Sequence, residues 1–376
     1  MKSIKPTILI FIDWFEPGFR AGGPIRSVAN MVSFLSSQYN FKLVTRDTDY
    51  TETIPYPNIE TDVWLRINSS TEIYYISASN LKLRTIEKIL SNTQRDFVYL
   101  NSMYSVYFSL APLWFNKNNT KVVLAPRGML SPGSLRVKSF KKKLFLKLFK
   151  LSGRLKKVIF QVTSTSELSD VQSVFSKNEI FNASNFPSNI TEAPVKNITP
   201  IPLKLINIGR ISPEKNNLFA IEILKDLNFP VVLDFYGPIN DREYYEKCVE
   251  LSQSISNVKI NFRGVIRPNQ IAQTLKDYHF FLSPSTGENY GHSIVESLLN
   301  STPVIISDKT PWKDLKIANS GFDLPLETQI FKETLMTIPE LIKSEKINKM
   351  RNDSRKYILK KINIPGLVEQ YCKLFS

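Results

Sequence analysis

Histidine and cysteine are scarce in this chain of 376 residues, and their scarcity excludes several kinds of chemistry. Both histidines, His279 and His292, lie in the second half, so the first half has no imidazole that could act as a general base. The two cysteines, Cys248 and Cys372, lie far apart and indicate a reducing compartment without a disulfide or metal framework. Catalysis by a serine–histidine–aspartate triad and zinc chemistry are therefore poorly supported.

Long apolar runs are also missing. The first run, Ile8 to Ile12, stops at Asp13, and its length is typical of a strand rather than of a signal peptide core or a membrane span. No later window approaches the roughly 20 apolar residues that a spanning helix needs. With 42% hydrophobic and 22% charged residues, the composition is that of a soluble globular protein. We expect a cytoplasmic protein with room for two ordinary domains.

Acidic residues are absent from one long stretch of the chain. Between Asp96 and Glu167 there is no aspartate or glutamate but 13 lysines and arginines, which account for most of the net charge of +15. Within residues 136–157, apolar residues recur at helical spacing among the lysines. Such a basic amphipathic helix suits an anionic membrane surface, where each basic residue contributes about 1 kcal/mol. A helix that faces the core with a solvated basic side explains the pattern equally well. We expect no nucleic-acid partner, because no recognised binding motif accompanies the patch.

Short apolar runs alternate with helical patterns and predict two α/β domains with parallel sheets and right-handed crossovers. We place the N-terminal domain at residues 1–187, a proline-rich linker at 188–202 and the C-terminal domain at 203–360, followed by a last helix within 361–376. A ligand cleft is expected between the two domains. The predicted strands are 7–13, 41–45, 73–76, 97–100, 122–125, 158–162, 203–208, 231–236, 258–262, 280–282 and 304–306.

The loop after the strand at 203–208 contains Gly209-Arg210-Ile211-Ser212-Pro213-Glu214-Lys215. Ser212 is a natural N-cap and Pro213 fits the first helical position, which places Lys215 in the first turn of a helix. A cation there opposes the helix dipole. A diphosphate held by Arg210, Lys215 and backbone amides explains this placement. The alternative is a surface lysine paired with Glu214 or another acid.

A second polar turn, residues 287–296, joins the strand at 280–282 to an apolar helix and contains Glu288 and Glu296. Glu288 lies outside the helix, where a carboxylate can meet sugar hydroxyls. Glu296, one turn inside, can reach a ribose diol. The competing interpretation is that Ser293 and Glu296 form a capping box, which would make Glu296 a helix cap. His292 could contact a donor phosphate or sugar, or a local backbone group. His279, at a helix-to-strand junction, is predicted to be structural.

Two weaker motifs lie in the first half. Gly22 and Gly23, before the helix that Pro24 opens, would let the backbone approach a phosphate, although a plain flexible turn explains them as well. Asp47 and Asp49 form an Asp-x-Asp triplet, a pattern that binds a divalent metal in some enzymes. Such triplets arise readily by chance among 34 acidic residues.

Taken together, these motifs resemble glycosyltransferase family 4, the retaining GT-B enzymes often described as group 1 glycosyl transferases. The resemblance covers most of the chain and includes residues 125–130 (Ala-Pro-Arg-Gly-Met-Leu) and 302–305 (Thr-Pro-Val-Ile). It implies the GT-B fold, in which two Rossmann-like parallel-sheet domains face a central cleft. The N-terminal domain would bind the acceptor, and the C-terminal domain would bind the nucleotide-sugar donor. The last helix would cross back onto the N-terminal domain.

The resemblance also implies residue roles. Arg210 and Lys215 would neutralise the donor diphosphate, and Glu288 would orient the sugar. No metal and no cofactor are then expected, because two basic side chains and a helix N-terminus can replace a divalent ion at the leaving group. Related enzymes often carry a catalytic histidine in the N-terminal domain, and Arg127 stands at that acceptor-side position here. The remaining donor-binding residues would be Gly22, Gly23, Gly209, Asn289, Tyr290, Gly291, His292 and Glu296.

We therefore expect a retaining glycosyltransferase that moves a sugar from a nucleotide-diphosphate sugar to a glycan or lipid-linked acceptor in bacterial surface polysaccharide synthesis. The basic segment 136–157 would hold it at the inner face of the plasma membrane. Two alternatives stay open: a sugar-nucleotide epimerase on the same fold, and a non-catalytic peripheral membrane assembly protein.

Overall fold

The computed structural model of the chain describes residues 5–116, 120–136, 146–147, 149–150, 152–188, 202–256 and 258–376. The chain divides into two compact units, one formed by Met1–Phe186 with Ile364–Ser376 and the other by Pro187–Asn363. Most of the linker predicted at 188–202 and half of the basic helix predicted at 136–157 lie outside the described residues. None of the helices in the described ranges is long and apolar enough to cross a membrane.

The N-terminal unit is built on one sheet, which has eight strands in the part of the chain that the structure describes. They are β1 (Thr7–Phe11), β2 (Asn40–Arg46), β3 (Trp64–Arg66), β4 (Thr71–Ile76), β5 (Phe97–Asn101), β6 (Lys121–Ala125), β7 (Val158–Val162) and β8 (Ile180–Asn182). Their spatial order is β3-β4-β2-β1-β5-β6-β7-β8, and only β3 pairs antiparallel, with β4. The direction of winding reverses between β1 and β5.

Helices cover both faces of this sheet. Along β1, Ile8 and Ile10 pack with the helices Gly23–Leu35 and Ile364–Leu374, whereas Leu9 and Phe11 pack with Leu83–Asn92. All four side chains are fully buried, as the alternation of a central parallel strand requires. The other helical segments are Ala78–Asn80 (3₁₀), Val106–Leu110 (π), Ala111–Phe115, Pro132–Arg136 and Thr165–Val174.

The C-terminal unit repeats this design with six strands among its described residues. They are β9 (Leu203–Ile208), β10 (Val231–Tyr236), β11 (Val258–Phe262), β12 (Phe280–Ser283), β13 (Val304–Ser307) and β14 (Gly321–Leu324). The order is β11-β10-β9-β12-β13-β14, all parallel, so the winding reverses between β9 and β12. Its helices are Pro213–Lys215 (3₁₀), Asn217–Glu222, Arg242–Gln253, Pro268–Leu275, His292–Leu299, Thr328–Lys343 and Lys346–Lys361.

The last helix, Ile364–Leu374, packs on the N-terminal unit. The Tyr371 ring lies 4.9 Å from that of Phe186, and the Tyr371 hydroxyl accepts a hydrogen bond of 2.9 Å from Gln161 Nε2. Phe375, just beyond the helix, contacts the rings of Tyr39 and Phe97. These aromatic contacts hold the end of the chain against the same core as β1.

The predicted class, two Rossmann-like parallel sheets, is confirmed, and strands β7, β9, β10 and β11 have their predicted bounds. Strands β3, β8 and β14 are absent from the sequence predictions. All three lie at the edges of their sheets and have only three or four residues. Because an edge strand has a neighbour on one side only, it can form without the continuous apolar run that marks a central strand.

Candidate active site

Two of the predicted site residues meet directly, because Lys215 Nζ forms an ion pair with Glu288 Oε1. Lys215 follows β9 and Glu288 follows β12, and these two strands pair with each other. They flank the point at which the winding of the sheet reverses, where the following loops diverge and leave room for a ligand. The side chains of Lys215 and Glu288 are 24% and 15% exposed, so the pair is sheltered but reachable from solvent.

Lys215 does not lie in the first turn of an α-helix, in contrast to the prediction from the sequence. Ser212 has an extended backbone, but its side chain caps no amide, and the helix that follows is a single 3₁₀ turn, Pro213–Lys215. Asn216 then adopts the left-handed conformation (φ 55°), and the α-helix starts only at Asn217. Lys215 is therefore not in the first turn of an α-helix, and no opposed helix dipole is involved. Its position is explained by Glu288.

Backbone hydrogen bonds fix the loops that carry this pair. Glu214 O accepts from Thr286 N at 3.0 Å and from Thr286 Oγ1 at 3.2 Å, which joins the loop after β9 to the loop after β12. Glu288 N donates to Lys309 O at 3.1 Å. Gly209 lies beneath the lysine stem, because a methyl group at Gly209 would lie 3.5 Å from Lys215 Cδ and Cε. These contacts fix the two loops and therefore hold Lys215 and Glu288 in position.

Arg210, predicted to share the diphosphate with Lys215, is exposed. Its guanidinium makes no hydrogen bond or ion pair with the residues that the structure describes. The backbone amides of Asn289, Tyr290 and Gly291 likewise donate to no acceptor in the described ranges. The same loop region therefore contains one exposed cation and three backbone amides without an acceptor among the described residues.

Glu296 lies within the helix His292–Leu299 and is not part of a capping box. The N-cap is Gly291 in the left-handed conformation (φ 75°), so Ser293 already lies inside the helix and the competing interpretation is wrong. The Glu296 side chain is buried, with 5% of the residue exposed. Its Oε1 accepts a hydrogen bond of 2.8 Å from Ser188 Oγ. A hydroxyl group is therefore already bound where the sequence analysis expects the ribose.

Tyr290 anchors the turn through its ring. Trp312 Nε1 donates to Tyr290 O at 2.6 Å, and the rings of Trp312 and His292 lie 5.6 Å and 4.7 Å from that of Tyr290. The Tyr290 hydroxyl is buried without a partner among the described residues, and burial raises its pKa. His279, predicted to be structural, accepts a hydrogen bond of 2.9 Å from Lys204 N at the β12 entry, as expected.

In the N-terminal unit, Gly22 and Gly23 open the helix Gly23–Leu35. Gly22 has φ 70° and ψ −120°, a conformation reserved for glycine, and no side chain caps the helix. Asp49 holds the preceding loop, because its carboxylate accepts from Phe19 N at 2.9 Å and Arg20 N at 3.2 Å. Asp49 of the Asp-x-Asp triplet therefore braces a loop, and the described residues hold no cluster of three or more metal-binding side chains.

Arg127 is held by three side chains of its own unit. The guanidinium donates to Asn101 Oδ1 at 2.7 Å, Asn185 Oδ1 at 2.7 Å and the Tyr99 hydroxyl at 2.8 Å. Its backbone is left-handed (φ 56°), and the next amide, Gly128 N, donates to the buried Glu167 at 2.6 Å. The guanidinium supports the fold here, and an acceptor-side role for it stays a prediction.

Four residues that were not predicted from the sequence also support the site: Ser188, Thr286, Lys309 and Trp312. None of them belongs to a motif. Ser188 lies 108 positions from Glu296 in the chain, and no local pattern signals a contact over that distance.

The two doubly wound sheets define an α/β protein of the GT-B fold, with a charged pair at the switch point of the C-terminal sheet. Sucrose-phosphate synthase from Thermosynechococcus elongatus has this fold, with a TM-score of 0.70, 15% identity and coverage of 99% of this chain and 98% of that one. HepE of Anabaena, solved with UDP and glucose, has a TM-score of 0.67 and 14% identity, with coverage of 98% of this chain and 99% of that one. WaaG, a glycosyltransferase involved in lipopolysaccharide biosynthesis, has a TM-score of 0.61 and 13% identity, with coverage of 98% of this chain and 99% of that one.

Residues 189–322 match the family described as "Glycosyl transferases group 1". This match covers little more than a third of the chain, and the chain as a whole has the GT-B fold. Two curated relatives align with parts of it. The alpha-monoglucosyldiacylglycerol synthase of Streptococcus pneumoniae is 34% identical over 107 residues, 27% of this chain and 23% of that protein. The GDP-Man:Man(3)GlcNAc(2)-PP-Dol alpha-1,2-mannosyltransferase of Caenorhabditis elegans is 25% identical over 172 residues, 43% and 36% respectively. The aligned parts span well under two thirds of either relative.

The turn at Gly291 yields a stability prediction. In Gly291→Ala, the new methyl group would lie 2.8 Å from Ile294 Cδ1, on a backbone with φ 75°. We expect the free energy of unfolding of the C-terminal unit to fall by about 1–3 kcal/mol, measured by urea denaturation. Gly287→Ala is the matched control, because nothing lies within 4 Å of its added methyl group. Equal stability of the two variants would contradict the strain at Gly291.

Proposed function

We propose that this protein is a retaining glycosyltransferase that transfers a sugar from a nucleotide-diphosphate sugar to a glycan or lipid-linked acceptor. The observation that carries the proposal is the contact between Lys215 and Glu288 at the switch point of the C-terminal sheet. Before donor binds, each charge compensates the other, so neither is buried unpaired. The pair also holds both side chains in place for the ligand.

In the proposed complex, the donor extends across the loops after β9 and β12. The diphosphate meets Arg210, Lys215 and the amides of Asn289, Tyr290 and Gly291. The sugar hydroxyls meet Glu288. The ribose replaces the Ser188 hydroxyl at Glu296, since a ribose hydroxyl donates the same hydrogen bond. In the N-terminal unit, Gly22 and Gly23 begin an uncapped helix, and the donor-binding role proposed for this turn falls on the Gly23 amide, since Gly22 N already donates to Phe19 O.

The transfer breaks the bond between the anomeric carbon and the diphosphate oxygen, and a bond from an acceptor hydroxyl to the same face of that carbon replaces it. The leaving phosphate takes the proton of the acceptor. Negative charge grows on the phosphate because the bond to the anomeric carbon breaks with its electron pair left on the diphosphate oxygen, and Arg210 and Lys215 stabilise this charge in the transition state. Glu288 holds the sugar in position while the anomeric carbon becomes positive. In this scheme neither a histidine nor a separate base is needed.

The names of the similar proteins agree with this chemistry. The pneumococcal relative is a synthase of a glucosylated diacylglycerol, and the nematode relative uses GDP-mannose and a dolichol-linked acceptor. HepE was solved with UDP and glucose, and WaaG acts in lipopolysaccharide biosynthesis. We extend to this chain a nucleotide-sugar donor, a lipid-linked or glycan acceptor, and a role in bacterial surface polysaccharide synthesis in the cytoplasm.

Removing either charge of the pair should strongly lower the rate of transfer while leaving the fold intact. We expect Lys215→Ala and Glu288→Gln to lower kcat by about 100-fold or more, because each removes stabilisation of the transition state. The assay is sugar transfer from radiolabelled UDP-, GDP- and ADP-sugars to a lipid extract. Lys225→Ala and Glu222→Gln, exposed in the same unit, are the matched controls and should retain activity.

Transfer at the wild-type rate by Lys215→Ala or Glu288→Gln would show that this pair does not act in the reaction. Conversion of a nucleotide sugar to its epimer without acceptor would favour the epimerase instead. Binding of nucleotide sugar without turnover of any kind would favour the assembly protein.

We also propose that transfer needs no divalent metal, because Arg210, Lys215 and free amides supply positive potential where the leaving diphosphate lies. Activity after exhaustive dialysis against EDTA should equal that of the untreated enzyme in the same assay. A loss of activity that added Mg²⁺ or Mn²⁺ restores would contradict this and would direct attention to Asp47 and Asp49.

We propose, finally, that the basic part of the N-terminal unit contacts anionic lipid. Trp114 is 51% exposed, and the guanidinium of Arg154 lies 4.8 Å from the centre of its ring. An exposed aromatic ring beside cations is typical of a membrane interface. The protein should float with phosphatidylglycerol vesicles and not with phosphatidylcholine vesicles. Trp114→Ala with Arg154→Ser should weaken flotation, whereas Ile317→Ala, exposed in the other unit, should not. Flotation independent of lipid charge would overturn the proposal.

A further inference from the structure

A second polar cluster lies at the switch point of the N-terminal sheet and has no part in the donor site proposed above. Asp13 follows β1, Arg46 ends β2, and Ser105 follows β5. These strands are neighbours in the order β2-β1-β5, and the winding reverses between β1 and β5. The cluster therefore occupies the place in this sheet that Lys215 and Glu288 occupy in the other.

The Asp13 carboxylate is fixed through one of its two oxygens. Ser105 Oγ donates to Asp13 Oδ1 at 2.8 Å, and Arg46 NH2 lies 3.5 Å from the same oxygen. The Ser105 hydroxyl also accepts from Phe108 N at 3.2 Å, as the cap of the π-helix Val106–Leu110. Both hydrogen-bonding directions of this hydroxyl are thus used, and Ser105 holds Asp13 in one orientation. Short π-helices of this kind are frequent at functional sites.

Two polar groups of the cluster have no partner in the described part of the chain. Asp13 Oδ2 accepts no hydrogen bond there, although the side chain is only 15% exposed. Arg46 Nε is buried and donates to no acceptor. The guanidinium is held by packing, 5.3 Å from the ring centre of Phe108 and 5.7 Å from that of Trp14. Because Arg46 Nε is buried, the donor available to a ligand is the outer part of the guanidinium, whose side chain is 29% exposed. This fixed donor beside the unpartnered Asp13 Oδ2 suits a polar ligand.

We propose that Asp13 and Arg46 bind a hydroxyl group of the acceptor sugar, with Ser105 as the residue that positions Asp13. A sugar hydroxyl donates one hydrogen bond and accepts another, and this pair of side chains offers one acceptor and one donor. The pair is neutral as a whole, which suits an uncharged polyol, whereas a phosphate would be repelled by the carboxylate. This inference rests on the glycosyltransferase function proposed above and assigns acceptor recognition to residues outside every motif.

The first test is equilibrium binding of simple sugars to the full-length protein. The probes are methyl α-D-glucoside, methyl α-D-mannoside and N-acetylglucosamine. Their binding is measured by saturation-transfer NMR. Asp13→Asn should weaken binding of the preferred probe by about tenfold or more, because it removes a hydrogen bond to a charged group. Asp96→Asn is the matched control. Asp96 Oδ2 accepts from Thr7 N at 2.7 Å at the opposite end of β1, and this variant should bind as the wild type does.

The second test uses pH to separate a ligand-binding carboxylate from a structural one. Burial raises the pKa of Asp13, while the Ser105 hydrogen bond and the charge of Arg46 act to lower it. Arg46 in turn interacts with Asp47, which is the other acid beside this cluster. The ionised carboxylate is the stronger acceptor, so binding should weaken as the pH falls through the pKa of Asp13. In Ser105→Ala that loss should move to higher pH, and in Asp13→Asn it should disappear.

The outcomes separate this inference from the proposed function, since UDP-, GDP- and ADP-sugar binding is titrated in the same variants. Glycoside binding that Asp13→Asn weakens and Asp96→Asn preserves supports the hydroxyl site, whatever the nucleotide sugars do. Equal glycoside binding by Asp13→Asn and wild type overturns it even if nucleotide sugars bind. Failure of every glycoside to bind the wild type also overturns it, and an unshifted pH profile in Ser105→Ala removes the positioning role.

Discussion

The positions of both polar clusters depend on where the two sheets leave backbone and polar side chains uncovered by helices. Helices pack on both faces of each sheet, so the central strands are buried on both sides and a ligand cannot approach them there. The loop that follows each parallel strand lies at the carboxyl edge of the sheet, and adjacent loops separate where the winding direction reverses. In the C-terminal unit that point lies between β9 and β12, and in the N-terminal unit between β1 and β5. Both polar clusters of interest lie at these two points.

Each of the two clusters contains a pair of opposite charges that neutralise each other, but the surroundings of the two pairs differ in net charge. Lys215 and Glu288 neutralise each other on a surface that also offers Arg210 and free backbone amides, so its local excess is positive and suits a diphosphate. Asp13 and Arg46 neutralise each other without such an excess and suit a neutral hydroxyl. In each case one partner is fixed by packing or by a capped loop, which limits the entropy lost when a ligand binds. This difference in local charge is the reason for which we propose a donor role for the first cluster and an acceptor role for the second.

The fold was largely predictable because central parallel strands require continuous apolar runs, and runs such as Leu203–Ile208 and Val231–Tyr236 are legible in the sequence. Edge strands such as Trp64–Arg66 lack that requirement and were missed. Glu288 and Lys215 were identified by motif, but the helix dipole invoked for Lys215 was wrong, since the left-handed Asn216 ends the turn at once. Glu296 was likewise assigned an alternative capping role that the left-handed Gly291 removes. In both cases a single backbone conformation decided the outcome.

The sequence by itself determined the class of the sheets, the loops that carry charge, and the identity of the glutamate and lysine at the candidate site. These follow from local patterns, because apolar periodicity and turn residues act over a few positions. Tertiary structure alone decided which of those side chains meet. It paired Lys215 with Glu288 across 73 positions, Ser188 with Glu296 across 108, and Asp13 with Ser105 across 92. Such contacts depend on strand order and on packing of distant segments, for which no local sequence pattern carries a signal.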